Sequence, residues 1–431
     1  LHQLPREDLE ILHRLSIFEG GFFLRDAVRV LNVTEAQLVN SLVRLKAHSV
    51  VQSRRQDRTP RYRILDAVRA CLDASIVDES LAALVREDRI RHALTFADYV
   101  RAMRGAAPEE REDRSAWLWS EIANVRTAAA YCFDSDLLEP GVAFAFGLAL
   151  PLFEAGMWHD FDAVASAGHR LAQVTGDIPL ELELLGLEGA LAARRGRTAD
   201  GLLLWERRRD LAAQTGDLAS EADARLDIVG QIFSTGDYDE VERLALEALP
   251  SARGSGRADL VATIDIVRGR IAVERGDHEA ARGFAIEAGQ LAADAPETQA
   301  MLFVWTNIGQ IRLACQDFAE ADDAYRRTLA TAYRRSRRFH IQGALLGLGR
   351  VYAGVGDGER AALCFMAAHK LVGRIPSKRR TEIERELEEI RIRLADTAGA
   401  AVFIEHESDA WSDVVERILS RPPLDRPIRG G

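Results

Sequence analysis

The side chains best suited to chemistry in this sequence are arginines. Arg54, Arg55, Arg58, Arg61 and Arg63 crowd into one short segment, and Arg44, Lys46 and His48 come just before it. Such a cluster can neutralise the phosphates of a nucleic acid. It can equally be a solvated hairpin or a contact to another domain, and the residues alone leave these readings open. A second run, Arg334-Arg335-Ser336-Arg337-Arg338, suits an acidic partner, a nucleic acid or a plain solvated turn. No catalytic grouping accompanies them. The ten histidines give no HxxxH or HExxH spacing. His406, between Glu405 and Glu407, reads as a loop residue, and His159 beside Trp158 reads as packing. Cys71, Cys132, Cys315 and Cys364 are far apart and form no CxxC pair. No serine, cysteine or carboxylate couple stands out as nucleophile or acid–base pair. No GxxxxGK[ST] occurs, so the sequence carries no phosphate cradle of that kind. The expectation is a protein that is not an enzyme and holds no metal or cofactor of its own.

Composition narrows the class further. At 431 residues, with 47% hydrophobic and 29% charged residues, the chain is folded and long enough for two or three domains or for one domain and an extended solenoid. A net charge of -11 argues against coating nucleic acid as a main task. No apolar run approaches the roughly 20 residues that span a bilayer. With scattered cysteines and no expected signal peptide, the compartment expected is a reducing cytoplasm.

Local patterning then supplies the elements that must position the arginines. Pro5-Arg6-Glu7-Asp8 opens a helix whose Leu9, Leu12 and Leu15 give an apolar face. A second helix is predicted over Leu24 to Leu31. Thr34 caps a third, with Gln37 as its capping-box partner. The period then changes to two around Val50-Val51 and Tyr62, Ile64, which predicts a hairpin with a basic tip. Three helices and a two-stranded wing make a winged-helix domain, expected over residues 1–75. A helical linker is expected over 76–141, with helices from Leu84 to Met103 and from Trp117 to Phe133.

From residue 142 a glycine returns every forty residues: Gly156, Gly196, Gly236, Gly276 and Gly356, with Gln316 completing the series. Seven residues before these markers stand Gly189, Gly269, Gly309 and Gly349, with Ala149 and Val229 in the other slots. Nine after come Trp205, Ala245, Ala285, Tyr325 and Phe365, and five after come Val241, Ala281, Ala321 and Ala361. A fixed period with small and aromatic positions in phase predicts stacked helix-turn-helix repeats. Each marker is read as the turn between two helices, made in the left-handed conformation that costs glycine nothing. The fold expected is therefore mainly α: an N-terminal winged helix, then an α-solenoid of about six repeats over 142–375. Residues 376–431 are expected to be capping helices, with Arg421 to Gly431 frayed.

The forty-residue unit resembles the tetratricopeptide repeat. Trp305, Gly309, Gln316, Phe318, Ala321, Tyr325 and Thr328 trace most of that signature in one copy. Leu15-Ser-Ile-Phe-Glu-Gly-Gly-Phe22, Leu42-Val-Arg-Leu45, Ser49-Val-Val51 and Tyr62-Arg-Ile-Leu-Asp-Ala-Val-Arg69 resemble the winged-helix module of large bacterial STAND-class, ATP-dependent transcriptional regulators of the LuxR and antibiotic-regulatory-protein types. Asn124 to Ala129, Gly399 to Phe403 and Trp411 to Val415 resemble the joining and closing segments of the same proteins.

That resemblance implies a signal-sensing and autoregulatory portion. An upstream nucleotide-binding domain, absent from this sequence, would carry ATP or ADP and be held off by the winged helix until a partner binds. The sequence opening at Leu1 is expected to be a fragment or a processed product. The resemblance also places the first helix of each repeat on the inner face. The slot six before the marker then carries Arg270, Gln310 and Arg350, and the slots ten and thirteen before add Thr306, Phe303, Thr263 and Asp223. Such a column suits a protein or peptide partner, an acidic one above all, or a small-molecule signal bearing phosphate or sugar. Two other readings stay open: a stand-alone repeat scaffold joining proteins, and a regulator that binds DNA directly through the wing from Arg54 to Arg63.

Overall fold

The structure, a computed structural model, describes residues 4–56, 59–73, 78–104, 111–135, 137–293, 299–335, 337–372, 378–395 and 398–424. It divides into two compact units, residues 1–191 and 192–431. Within the first unit the winged helix and the helices after it bury one apolar core.

The first unit begins with α1 (Arg6–Leu15), β1 (Phe22–Phe23), α2 (Leu24–Leu31), α3 (Glu35–Ala47), β2 (Val51–Gln56) and β3 (Thr59–Ile64). The capping box forms as expected: Thr34 accepts from the Gln37 backbone N–H, and the Gln37 side chain accepts from the Thr34 backbone. The wing is an antiparallel hairpin with Val51 opposite Ile64 and Arg54 opposite Arg61. The sheet has a third strand that the two-stranded expectation omitted, since Phe22 pairs with Tyr62 to give the order β1-β3-β2. A strand this short has no alternation to read.

Next come α4 (Asp66–Asp73), α5 (Glu79–Arg104) and α6 (Arg111–Asp134), then α7 (Leu138–Glu154), α8 (Trp158–Thr175) and α9 (Ile178–Arg194), within which the division falls. Buried rings of Phe18, Phe22, Phe96, Phe144 and Phe161 fill the core these elements share. Between α8 and α9, His169 is clamped by two carboxylates, Nδ1 at 2.6 Å from Glu181 and Nε2 at 2.7 Å from Glu188. Glu188 foremost, then Glu181, pushes the imidazole up to about 9, against the opposing effect of burial.

The second unit repeats one hairpin of helices. Its elements are α10 (Thr198–Thr215), α11 (Leu218–Ile232), α12 (Tyr238–Gly254), α13 (Ala258–Glu274), α14 (His278–Ala293), α15 (Gln299–Ala314), α16 (Phe318–Arg334), α17 (Arg338–Gly354) and α18 (Gly358–Val372). Every marker glycine has positive φ, from 70° at Gly156 to 82° at Gly356, and Gln316 adopts 60° in its place. The second helix starts two residues on, and the residue between is usually an aspartate. Asp237, Asp277 and Asp357 each accept a backbone N–H three residues ahead, at 3.0 to 3.1 Å. After Gln316 the pattern breaks: Asp317 instead takes the Arg282 guanidinium at 2.9 Å and that of Arg312 at 3.0 Å.

Packing explains the other in-phase positions. A Cβ on Gly309 would sit 2.8 Å from the Tyr325 ring, and one on Gly349 would sit 2.4 Å from the Phe365 ring. The glycine seven before each of these markers thus exists so that the ring nine after it can lie on the helix backbone. Tyr325 also lies over Gly347 of the following pair, so the ring fills the gap between neighbours. Val241, Ala281, Ala321 and Ala361 are fully buried where the two helices of a pair cross.

Closing helices follow the last pair. Helix α19 (Lys378–Leu394) starts in phase with the first helices α11, α13 and α17, as an unpaired seventh member. After it, α20 (Val402–Glu405) and α21 (Trp411–Ser420) bury Val402, Val414, Val415 and Ile418 in the core of the last pairs. The chain beyond α21 is not frayed as far as Leu424. Arg326 donates to the carbonyls of Ile418, at 2.7 Å, and Arg421, at 3.0 Å, and Asp322 accepts the Leu424 N–H at 3.0 Å. Residues 425–431 lie outside those described.

Phe365→Ala removes a ring with no solvent exposure, so it should lower stability by about 3–5 kcal/mol in a urea melt. A loss below about 1 kcal/mol would contradict this packing. The His169 clamp sets a pH dependence. Its folded value lies above the ordinary one, so its stabilisation is complete below about pH 6.5 and gone above about pH 9. The urea midpoint of the wild type should therefore fall more steeply from pH 7 to pH 9.5 than that of His169→Gln.

Candidate partner-binding face

The curvature of the second unit identifies its inner face. First helices of successive pairs touch, α11 with α13, α13 with α15 and α15 with α17, while the second helices stand further apart. The exposed side of α11, α13, α15 and α17 is therefore concave.

The structure distributes the expected inner-face residues unequally. Arg270 on α13 is half-buried, with its guanidinium 4.0 Å from the centre of the Phe233 ring. Burial lowers its pKa, which Glu274 and Tyr238 partly offset. No carboxylate pairs with it within ion-pair distance among the described residues. Gln310 and Phe303 on α15 are exposed. Arg350 on α17 is not open to a ligand. It is held by Glu382 at 2.6 Å and Glu386 at 2.9 Å, both on α19, so the closing helix takes the place an acidic partner would need. Thr306 and Thr263 turn their hydroxyls back onto their own helices, donating to Leu302 O at 2.7 Å and Asp259 O at 2.8 Å. Asp223 on α11 is paired with Arg208 at 2.8 Å.

Two residues of this face escaped the reading of the sequence. Arg208 on α10 reaches Asp223 and also Asp227, at 3.3 Å, and its Nε is buried without a hydrogen-bond partner. It sits twelve residues after Gly196, in a slot that elsewhere holds only Gly168, Ala248, Ala288, Thr328 or Ala368, and that size mismatch was the available clue. Asp227 stands four residues after Asp223, on the same side of the helix. Burial first, then the Asp223 charge, raises its pKa against the pull of Arg208. The face thus offers one cation on an aromatic ring, an exposed amide and ring beside it, and an acidic pair already bound to a buried arginine.

Part of the basic stripe is already paired. Arg61 is nearly buried, bridged to Glu121 of α6 and bonded to the Gly20 and Gly21 carbonyls at 3.3 and 3.2 Å. Arg63 pairs with Asp66 at 2.9 Å, and Arg44 pairs with Asp8 at 2.6 Å. Arg54 and Arg55 remain exposed, while Arg58 lies outside the described residues. The underside of the winged helix is fixed as firmly. Fully buried Asp88 of α5 takes Arg14 at 2.7 Å and Arg91 at 2.5 Å, Tyr99 donates to Asp26 at 2.8 Å, and the Asn124 amide donates to Gly21 O at 2.9 Å. Among the described residues no helix is long and apolar enough to cross a membrane.

Residues 4–73 match the winged helix-turn-helix domain family. No curated protein sequence matches the chain. Among solved structures, it is similar to a Signal Transduction ATPase with Numerous Domains (STAND) protein with a tetratricopeptide repeat sensor from Pyrococcus horikoshii, at 11% identity and a TM-score of 0.45. That match covers 97% of this chain but only 65% of the archaeal protein's length. The chain is also similar to a Rap protein complexed with Competence and Sporulation Factor, at 13% identity and a TM-score of 0.50, over 82% of this chain and 91% of that one. Yeast Tom70 is similar at 10% identity and a TM-score of 0.42, over 89% and 83% of the two chains. The Rap likeness concerns the fold. The class is a winged helix-turn-helix domain joined to a helical solenoid of tetratricopeptide-like repeats.

Glu121 is almost fully buried against Arg61. Glu121→Ala should cost about 3–5 kcal/mol in a urea melt, since it leaves a guanidinium without its partner. Replacing the exposed Arg54 and Arg55 by alanine should change stability by no more than about 0.5 kcal/mol each.

Proposed function

We propose that this chain is the sensing and autoregulatory portion of a bacterial STAND-class transcriptional regulator of the cytoplasm. A protein or peptide partner binds the concave face of α11, α13, α15 and α17. That binding controls a nucleotide-binding domain, carrying ATP or ADP, which belongs to the parent protein and which the winged helix contacts. The chain itself catalyses nothing in this reading.

The observation that supports it is Arg270. A half-buried guanidinium stacked on Phe233, with no carboxylate in ion-pair range among the described residues, is prepaid for an incoming acidic group. Exposed Gln310 and Phe303 on α15 would contact the neighbouring part of the same partner. With Arg350 engaged by α19, the two-arginine column reduces to this one cation. The Rap protein of similar fold carries Competence and Sporulation Factor, and occupancy of that kind is what the groove reading asks of this chain. A stand-alone scaffold would use the same face. Direct DNA binding is less well supported, because Arg61, Arg63 and Arg44 already have carboxylate partners.

The test is a thermal-shift screen of acidic peptides and phosphorylated or carboxylated metabolites against wild type and Arg270→Ala. A true ligand at a hundred times its Kd stabilises the wild type by about 2.7 kcal/mol. The Arg270→Ala protein should melt normally and lose that shift. Hits that stabilise both proteins equally would overturn the groove assignment.

A further inference from the structure

The outer side of the second unit carries a hole that the repeat register makes legible. Thirteen residues after each marker the chain places His169, Arg209, Leu249, Gly289, Leu329 and His369. In the pairs on either side of Gly289 this slot is leucine. Leu249 packs against the core of α11 to α13, and Leu329 is fully buried. At Gly289 the side chain is missing, and a cavity of about 150 Å³ opens between α14 and α16. That is about the size of the cavity left by deleting one large aliphatic side chain from a core. Trp305 and Ile308 of α15 line it together with Arg312, whose charge is taken by Asp317 at 3.0 Å, and Ile286, 49% exposed, is also part of its lining. A Cβ added to Gly289 would meet only ordinary contacts, 3.8 Å from Ile308 and 3.9 Å from Trp305, so nothing in the backbone packing demands glycine there.

The rim adds charge. Glu320 and Asp323 of α16 line the opening. Asp323 is bound to Arg327 at 3.0 Å, and Arg327 itself lies over the Trp305 ring at 4.8 Å. Glu320 has no ion pair among the described residues. With Arg312 and Asp323 already paired, a socket lined by Trp305 and Ile308 beside the unpaired Glu320 selects an apolar knob beside a cation.

We infer that the cleft between α14 and α16 is a docking socket for a partner protein, which inserts a leucine-like side chain where the chain's own leucine is missing and sets a lysine or arginine against Glu320. The partner completes the repeat from outside. This surface is distinct from the concave face and does not depend on Arg270.

The probe is a sixteen-residue alanine-based helical peptide carrying one leucine, with a lysine four residues later. It is titrated into the chain labelled with 5-fluorotryptophan, with the Trp305 resonance assigned from Trp305→Phe. The expected result is a saturable shift of that resonance. Replacing the peptide's leucine by alanine should weaken binding at least tenfold, and replacing its lysine by glutamate should weaken it further. Gly289→Leu fills the socket as Leu249 and Leu329 do, so it should fold at least as stably as wild type and bind at least tenfold more weakly. Gly289→Ala, whose Cβ fits without clash, gives an intermediate loss should the leucine variant fail to fold. No shift at millimolar peptide, or equal binding by wild type and the filled variants, would overturn the inference. So would a wild-type dimer in sedimentation that Gly289→Leu dissociates, since the occupant would then be a second copy of this chain.

Discussion

Each first helix of the array has to end at its marker and reverse within two residues, because the second helix begins there. Only a residue in the left-handed conformation closes that reversal without lengthening the loop, which is why glycine holds five of the six markers from Gly156 to Gly356. The rest of the array depends on this constraint. With the turn fixed, the glycine seven before it and the ring nine after it meet in two of the last units, where Tyr325 lies on Gly309 and Phe365 on Gly349. Gln316 keeps the geometry at a cost of about 1 kcal/mol. In the same turn Asp317 leaves its helix cap for two arginines, while the backbone bonds of the reversal stay those of the glycine turns.

The winged helix is anchored by a different kind of contact. Buried carboxylates of α5 and α6, Asp88 and Glu121, hold arginines that belong to the winged helix, and they do so inside a shared apolar core. Charges paired this deeply are costly to separate. A module fixed this way is part of the first unit's core on one side, while Arg44, Arg54, Arg55 and Arg63 of the basic stripe are exposed among the described residues.

Features with a local cause could be read from the sequence. The marker glycines, the Thr34 cap and the alternation in the wing each report a backbone requirement within a few residues. The half-period glycines Gly176, Gly216 and Gly256, also at positive φ, report the turns between repeats. They went unread because the slots at 296 and 336 hold Pro296 and Ser336, which break the series after three copies. The site was less legible than the fold. Arg350 meets carboxylates more than thirty residues away, and Arg61 meets one sixty residues away. The repeat phase says which face a side chain shares, but it cannot say which partner has already claimed it. Deviations from the phase proved more informative than the phase itself: Arg208 stands in a slot for small residues and Gly289 in a slot for leucine.

Helix α19 enters on schedule at Lys378 and is never given a second helix. The array therefore ends in the middle of a unit, and its last act is to turn two glutamates back onto Arg350. Such a terminus is specific to the last units. The closing helices hold α16 and α18 as well as Arg350 of α17, through Arg326, Asp322 and the packing of α21 on α18, so forty-residue units could be added or lost upstream of α16 but not between α16 and α18 while the same terminus closes the array.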